Sequence, residues 1–375
     1  MKILVIFSFN YSLKLWKDVG NLDRELNFFQ NFNEKYNSKF VLITYGGDED
    51  YKIIKGYEDF IEVYPIYSYL KYSDKKIVRL IHSIYFPFFI NKKLNQIDII
   101  KSIQLTGFWT GIVFRLILKK PLVVKTGYDA FIFSKLEKKP LHKKIFFYLL
   151  TQLALISCNL YTVSSDSDFK FIKKHYFSSK NLVKRQNWVK ISNSKVISNQ
   201  NEKKILMVGR LVEQKNYEFA FDTLKNLDFE VDIIGNGKLK KDLQSYANYL
   251  NIKVNFLGNI DNNDLLSIYK NYKYFYLPSK FEGNPKALLE AMSAGCIAIV
   301  SNIPNNLEIV QDGYNGIVID INNTDLNFND VLMGFQKKYN TTEVKKNAVK
   351  TIYSRFSIDT YIKSEYEDFQ KLISN

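Results

Sequence analysis

Short apolar runs alternate with longer segments of helical periodicity along the whole chain. In the first half the runs are Ile3 to Phe7, Phe40 to Thr44, Ile97 to Ile100, Leu122 to Lys125 and Leu160 to Val163. In the second half they are Lys204 to Val208, Val231 to Ile234, a run from Val254, Tyr274 to Leu277 and Ile297 to Val300. Continuous apolar runs of this length, spaced by enough residues for a helix, predict buried strands of an α/β fold with doubly wound sheets. At 375 residues the chain exceeds one comfortable core and suits two domains. The polar, Ser- and Asn-rich stretch from Ile191 to Lys203 reads as a linker between domains over 1–190 and 204–355. Ile358, Ile362, Tyr366, Phe369 and Ile373 then form a helical stripe in the C-terminal segment 356–375.

The chemistry concentrates in Ser279 to Met292, directly after an apolar strand stopped by Pro278. Asn284 is a favoured helix cap and Pro285 a favoured first helical residue, so a helix is predicted to start at Asn284. Its free N–H groups and the positive end of its dipole make an anion site, and Gly283 lets a ligand approach the backbone. Glu282 and Glu290 flank this start, roughly 10 Å apart at about 1.5 Å rise per residue. Retaining glycoside hydrolases hold their two carboxylates about 5 Å apart, so that chemistry does not fit. A ligand with a diphosphate on the helix start and a carboxylate at each end does fit, as a sugar nucleotide would.

A second loop, Gly209-Arg210-Leu211 to Lys215-Asn216, follows another buried strand and brings two cations that suit a diphosphate gaining charge as a bond breaks. Asn216 is placed to cap the next helix. Gly235-Asn236-Gly237 also follows a strand, but the third glycine and the ribose acid of a dinucleotide site are missing. Asp48-Glu49-Asp50 and Asp166-Ser167-Asp168 have the spacing of a metal-holding triplet, yet they read as a polar turn and a helix start. The three histidines are scattered, and Cys158 and Cys296 sit in apolar surroundings, reading as core thiols.

Charge is uneven. Residues 1–200 hold 32 Lys and Arg against 16 Asp and Glu, whereas residues 201–375 hold 21 against 22. Basic side chains interleaved with aromatics suit an anionic membrane surface or a phosphorylated acceptor, and no motif supports a nucleic-acid partner. Arg79, Phe86, Phe88, Phe89, Lys92 and Lys93 mix both kinds of side chain, with Pro87 read as interrupting any continuous helix. The longest apolar stretch, Ile145 to Ile156, is too short to span a bilayer, and the apolar start ends by Asn10 without a cleavage site.

The Glu282-Gly283…Glu290-Ala291-Met292 string and the Gly209-Arg210…Lys215-Asn216 string together resemble the motifs of family 4 (group 1) retaining glycosyltransferases. That resemblance implies a GT-B fold, with two Rossmann-like domains facing a central cleft and the C-terminal helix packing back on the first. It implies transfer of a sugar, with retention, from a UDP- or GDP-sugar to a hydroxyl of a glycan or lipid-linked glycan. The product class would be lipopolysaccharide, O-antigen or capsule, made on the cytoplasmic face of the inner membrane by a peripheral enzyme. Glu290 would bind the ribose and Glu282 the donor-sugar hydroxyls. Arg210, Lys215 and the amides of Gly283 and Asn284, with Pro285 behind them, would stabilise the leaving diphosphate without a metal or other cofactor.

By the same resemblance Gly209, and Gly20 ahead of its helix, would approach the donor phosphates, and Gly258 and Asn259 would border the base. Tyr128 and Asp129 would contribute to the acceptor pocket, and Asn187-Trp188-Val189 matches an Asn-Gly-Val element with Trp188 in place of glycine. No residue stands out as a nucleophile, so departure and attack on one face follow, with the leaving phosphate taking the acceptor's proton. The alternative is a non-catalytic nucleotide- or membrane-binding protein of the same fold. A glycan phosphorylase is disfavoured because no lysine environment for a pyridoxal cofactor is evident.

Overall fold

The computed structural model describes residues 1–190 and 200–374. Its contacts divide the chain into two compact units, Met1–Gln186 with Tyr361–Asn375, and Asn187–Thr360.

The first unit is built on seven parallel strands, β1 (Lys2–Ile6), β2 (Lys39–Thr44), β3 (Ile61–Pro65), β4 (Ile99–Ser102), β5 (Leu122–Lys125), β6 (Leu160–Val163) and β7 (Leu182–Lys184). Their order is β3-β2-β1-β4-β5-β6-β7. The five runs read from the sequence are all strands, because their side chains are buried on both faces. The two missed strands form the edges. β3 alternates buried Ile61, Val63 and Pro65 with half-buried Glu62 and Tyr64, and β7 has three residues, so neither presents a continuous apolar run.

Pro87 does not interrupt its segment: one helix runs from Lys76 to Ile90 with Pro87 inside it. Proline has no N–H, which leaves the carbonyl four residues back, that of Ser83, without its helical donor. Thr110 Oγ1 donates to that carbonyl at 3.1 Å and Trp109 Nε1 donates to the Ser83 hydroxyl at 3.0 Å. The Thr110 hydroxyl of a neighbouring helix thus supplies the bond that proline cannot. The C-terminal helix Ile358–Ser374 packs its stripe on the helix Leu22–Tyr36, with Tyr366 stacked on Tyr36 at 3.7 Å between centroids and Phe369 beside Phe32. Buried Lys101–Glu365 and bidentate Arg185–Asp368 pairs fix its register on the sheet.

The second unit carries six parallel strands, β8 (Asn201–Val208), β9 (Glu230–Ile234), β10 (Lys253–Gly258), β11 (Tyr272–Leu277), β12 (Ile297–Ser301) and β13 (Ile317–Ile319), in the order β10-β9-β8-β11-β12-β13. β8 begins at Asn201, so the last residues of the segment read as a linker are strand. Residues 191–199 of that segment lie outside the described residues. From β8 the chain winds outward through β9 and β10, then crosses back to β11 and winds the other way. Adjacent β8 and β11 therefore mark the point where strand order reverses, and a crevice opens beyond their carboxyl ends.

Candidate functional site

Both strings singled out in the sequence leave this switch point, one from the end of β8 and one from the end of β11. Gly209 has φ +158°, and a Cβ there would lie 2.9 Å from Lys215 Cε, so glycine lets the lysine fold back over the strand end. Lys215 Nζ then reaches Glu282 Oε1 at 2.6 Å, with both side chains largely buried. Gln214, which the motif reading passed over, donates from Nε2 to the Phe281 carbonyl at 2.9 Å and lies 3.4 Å from Glu282 Oε2. The Tyr217 hydroxyl donates to the Gly209 carbonyl at 2.9 Å. Burial, with the Glu282 charge adding to it, holds that phenol well above its ordinary pKa. Arg210 is exposed and has no ion-pair partner among the described residues.

The glycine pair Gly235 and Gly237 serves this loop. At φ +137° a Cβ on Gly235 would sit 2.1 Å from the Gly209 carbonyl oxygen, and one on Gly237 would sit 2.4 Å from that of Leu211. The pair is a close backbone contact rather than a phosphate cradle of its own. Gly258 (φ +75°) closes the next strand, its carbonyl accepting from Gly235 N at 2.7 Å, and Asn259 beyond it is exposed.

The loop after β11 is fastened through its carbonyls. Asn216 Nδ2 holds that of Pro278 (3.1 Å), Ser301 Oγ that of Ser279 (2.6 Å), Gln214 that of Phe281, Asn305 Nδ2 that of Gly283 (2.5 Å) and Asn187 Nδ2 that of Asn284 (2.8 Å). With the carbonyls committed, no protein acceptor takes the N–H of Gly283 or Asn284 among the described residues. The predicted cap needs correction. The helix starts at Lys286, Pro285 occupies the cap position in an extended conformation, and the Asn284 side chain caps nothing. Because Pro285 is extended, Asn284 stands one residue too far from the first turn. Its amide is buried, and among the described residues neither Oδ1 nor Nδ2 has a hydrogen-bond partner; the buried Ser279 hydroxyl is in the same state. Asn216 likewise makes no capping bond, since its side chain is engaged with Pro278.

Glu290, in the second turn, is buried and oriented by two donors, Asn262 Nδ2 at 3.1 Å and Tyr269 OH at 3.3 Å. Both come from the helix Asn262–Tyr269, and nothing local in the sequence marks either. Trp188, at the place of a glycine in the resembling element, is buried with the Lys286 ammonium 5.4 Å from its ring centroid.

The remaining candidates lie in the first unit. Gly20 is in a left-handed turn at φ +71° between two helices. Tyr128 is exposed and stacks on Phe133 at 3.9 Å. Asp129 has its carboxylate engaged within the protein. It is fully buried, caps the helix Ala130–Leu136 by accepting from Ile132 N at 2.8 Å, and accepts from Tyr176 OH at 3.1 Å. Burial pushes its pKa up to about 6.

The two acidic triplets are engaged in the same structural way. Asp50 is buried against Thr44 Oγ1 and Lys14 N, Asp166 pairs with Lys184, and Asp168 holds Asp129 N and Ser165 Oγ. Cys158 and Cys296 are buried free thiols whose pKa values burial pushes up to about 12.

Residues 190–344 match the family model described as glycosyl transferases group 1. That stretch of the chain is similar to the group 1 glycosyltransferases. It contains the residues of the β8–β11 crevice named above except Asn187 and Trp188, which lie just ahead of it. One curated relative is the Escherichia coli UDP-Gal:α-D-GlcNAc-diphosphoundecaprenol α-1,3-galactosyltransferase, 34% identical over 160 residues, which are 40% of this chain and 41% of that protein. The matched stretch thus spans under half of the relative's length.

Among solved structures, the apo form of the lipopolysaccharide outer core galactosyltransferase WaaB aligns with 99% of this chain and 100% of its own, at 21% identity and a TM-score of 0.69. Anabaena HepE in complex with UDP and glucose aligns over 99% and 100% at 15% identity and a TM-score of 0.75. The stretch similar to group 1 glycosyltransferases therefore sits within a chain of GT-B fold.

Proposed function

We propose that the chain is a retaining, metal-independent glycosyltransferase that moves a sugar from a nucleotide donor to a hydroxyl of a glycan or lipid-linked glycan in cell-surface polysaccharide assembly. The observation that carries this is the buried Lys215–Glu282 pair, which ties together two loops that also carry exposed Arg210 and, among the described residues, the N–H groups of Gly283 and Asn284 without a protein acceptor. One side of the loop pair offers positive charge and amide donors to a leaving diphosphate, as transition-state stabilisation requires. The other side offers a carboxylate, held by Lys215 and Gln214, to sugar hydroxyls. Glu290, fixed by Asn262 and Tyr269, is ready to accept from a ribose diol. The unpartnered Asn284 amide adds a donor and an acceptor that a polar group of the donor substrate would satisfy, since leaving them unmet is costly.

The E. coli relative's name specifies a UDP-sugar and an undecaprenol-linked acceptor, which supports a lipid-carried acceptor and a UDP donor for this chain as well. Exposed Tyr128 remains the candidate for acceptor contact. The basic first half would draw the enzyme to an anionic leaflet carrying such an acceptor, on the cytoplasmic side where nucleotide sugars are available. Among the described residues no helix is long and apolar enough to cross a membrane.

Mass spectrometry of products from a panel of sugar nucleotides with lipid-linked acceptors tests the reaction. A transferred hexose with the donor's anomeric configuration is expected, and its formation is expected to survive excess EDTA. Absence of any transfer across the panel while UDP still binds would leave a nucleotide-binding protein instead, and loss to EDTA with rescue by manganese would overturn metal independence.

A further inference from the structure

Three helices of the first unit, Lys76–Ile90, Phe108–Leu118 and Leu141–Ser157, cover one face of the sheet. Phe86 and Ile90 of the first, Phe108 and Phe114 of the second and Leu150 and Ala154 of the third share one buried cluster with Leu4, Val124 and Val163 of the strands. Burying an inward stripe is ordinary for such a layer. The outward stripe is not, because it is also apolar. Ile77, Ile81, Ile84 and Phe88 recur at helical spacing on the first helix and are all exposed. Leu141, Ile145, Leu149 and Leu153 do the same on the third, and Leu116 of the middle helix is 71% exposed. Exposed apolar surface repeated across three neighbouring elements is far more than scattered single side chains and marks an interaction face.

Charge decides what covers it. None of the three helices contains an aspartate or glutamate. Lys92 and Lys93 follow the first, Lys119 and Lys120 the second, and Lys143 and Lys144 lie in the opening turns of the third. Glu137, just before the third helix, is paired with Lys139. A second copy of this chain would bring the same basic rim against itself, so self-association is opposed by like charge. An anionic lipid leaflet meets both requirements: headgroups for the rim and acyl chains for the stripes.

We propose that this helix layer is an in-plane membrane-insertion face, its outer apolar stripes entering the headgroup–acyl boundary while the flanking lysines engage anionic headgroups. This deepens the membrane reading given above and rests on it. It differs from simple electrostatic adsorption, because inserted side chains keep part of the attachment when salt screens the lysines.

The test uses the full chain and vesicles of phosphatidylglycerol and phosphatidylcholine. Co-sedimentation should persist in part at 1 M NaCl, and Ile81→Glu with Leu149→Glu should lower partitioning at least tenfold while circular dichroism and UDP binding stay as in the unaltered chain. Trp reporters at Phe88 and Leu149 should shift to the blue on vesicles and be quenched by brominated acyl chains. Binding abolished by salt, reporters that stay in water, or a lipid-free dimer that the double variant dissociates would each overturn the insertion face. None of these readouts requires sugar transfer, so failure of the enzymatic proposal would show separately, as UDP binding without product.

Discussion

Lys215 Nζ lies 2.6 Å from Glu282 Oε1, although 67 positions separate the two residues in the chain. Each therefore holds the other's charge in a largely buried place, and a diphosphate bound as proposed would share the lysine with the carboxylate. Removing one member leaves a buried charge without its counter-charge, which costs about 3 kcal/mol, whereas replacing both by neutral isosteres removes that penalty. Lys215→Met and Glu282→Gln should each lower the urea midpoint, and the double variant should recover most of the loss. Activity should not recover, because the double variant restores packing but neither the cation nor the carboxylate. A double variant as unstable as the sum of the singles would show that the pair is not coupled.

The two glutamates are expected to fail differently. Glu290→Ala should mainly raise the donor KM, and Tyr269→Phe should do so more weakly by loosening the same carboxylate. Glu282→Ala should lower kcat by about a hundredfold or more, the usual scale for losing a group that acts at the reacting centre. Steady-state kinetics with the donor varied separates these outcomes, and near-normal constants in both folded alanine variants would refute the assignment.

How far the sequence carries this account differs from element to element. Strands buried on both faces were legible as apolar runs; β3, at the sheet edge with polar, half-buried Glu62 and half-buried Tyr64 between its apolar residues, was not. Glu282, Glu290, Arg210 and Lys215 were legible as members of two strings, but the salt bridge between the strings depends on β8 and β11 being neighbours, which no local pattern encodes. Pro87 reads as a break because the compensating donor, Thr110, comes from another helix. Asn284 reads as a cap because the Asn-Pro pair usually is one; here the extended Pro285 moves the helix start one residue on. Asp129 reads as a site residue from its place after a strand, and its burial against Ile132 N and the Tyr176 hydroxyl was not legible there.

Two glycines with positive φ should respond unequally to the same change. Gly235→Ala would place a methyl 2.1 Å from the Gly209 carbonyl oxygen, which is backbone and cannot swing aside. The Gly209–Lys215 loop would have to move, so both stability and donor binding should fall. At Gly258 a Cβ meets nothing within 4 Å, so alanine there costs only the left-handed conformation, about 1 kcal/mol. Calorimetric donor titration of the two variants, alongside their melting temperatures, checks this. Equal losses would mean that the Gly235–Gly209 contact does not set the loop.

Asp129 makes stability depend on pH with a sign opposite to the familiar carboxylate case. Burial raises its folded pKa from 3.8 to about 6, so between these values the folded chain binds a proton that the unfolded chain has released. Stability therefore increases as pH falls from about 6 to about 4, and the gain is complete below the unfolded pKa. A shift of about two units corresponds to about 3 kcal/mol. Asp168 and Asp50, also raised by burial, act in the same direction, while the lowered carboxylates such as Glu49 and Asp228 oppose them only weakly because they are exposed and screened. The Asp129→Asn variant isolates the effect, since its amide oxygen can still accept from Ile132 N and its amide nitrogen can donate to the Tyr176 hydroxyl. Urea denaturation at intervals from pH 4 to pH 7 should show a slope flatter than that of the unaltered chain by about 2–3 kcal/mol across the window. Parallel slopes would mean that the Asp129 carboxyl titrates alike in both states, and its burial would then carry no proton linkage.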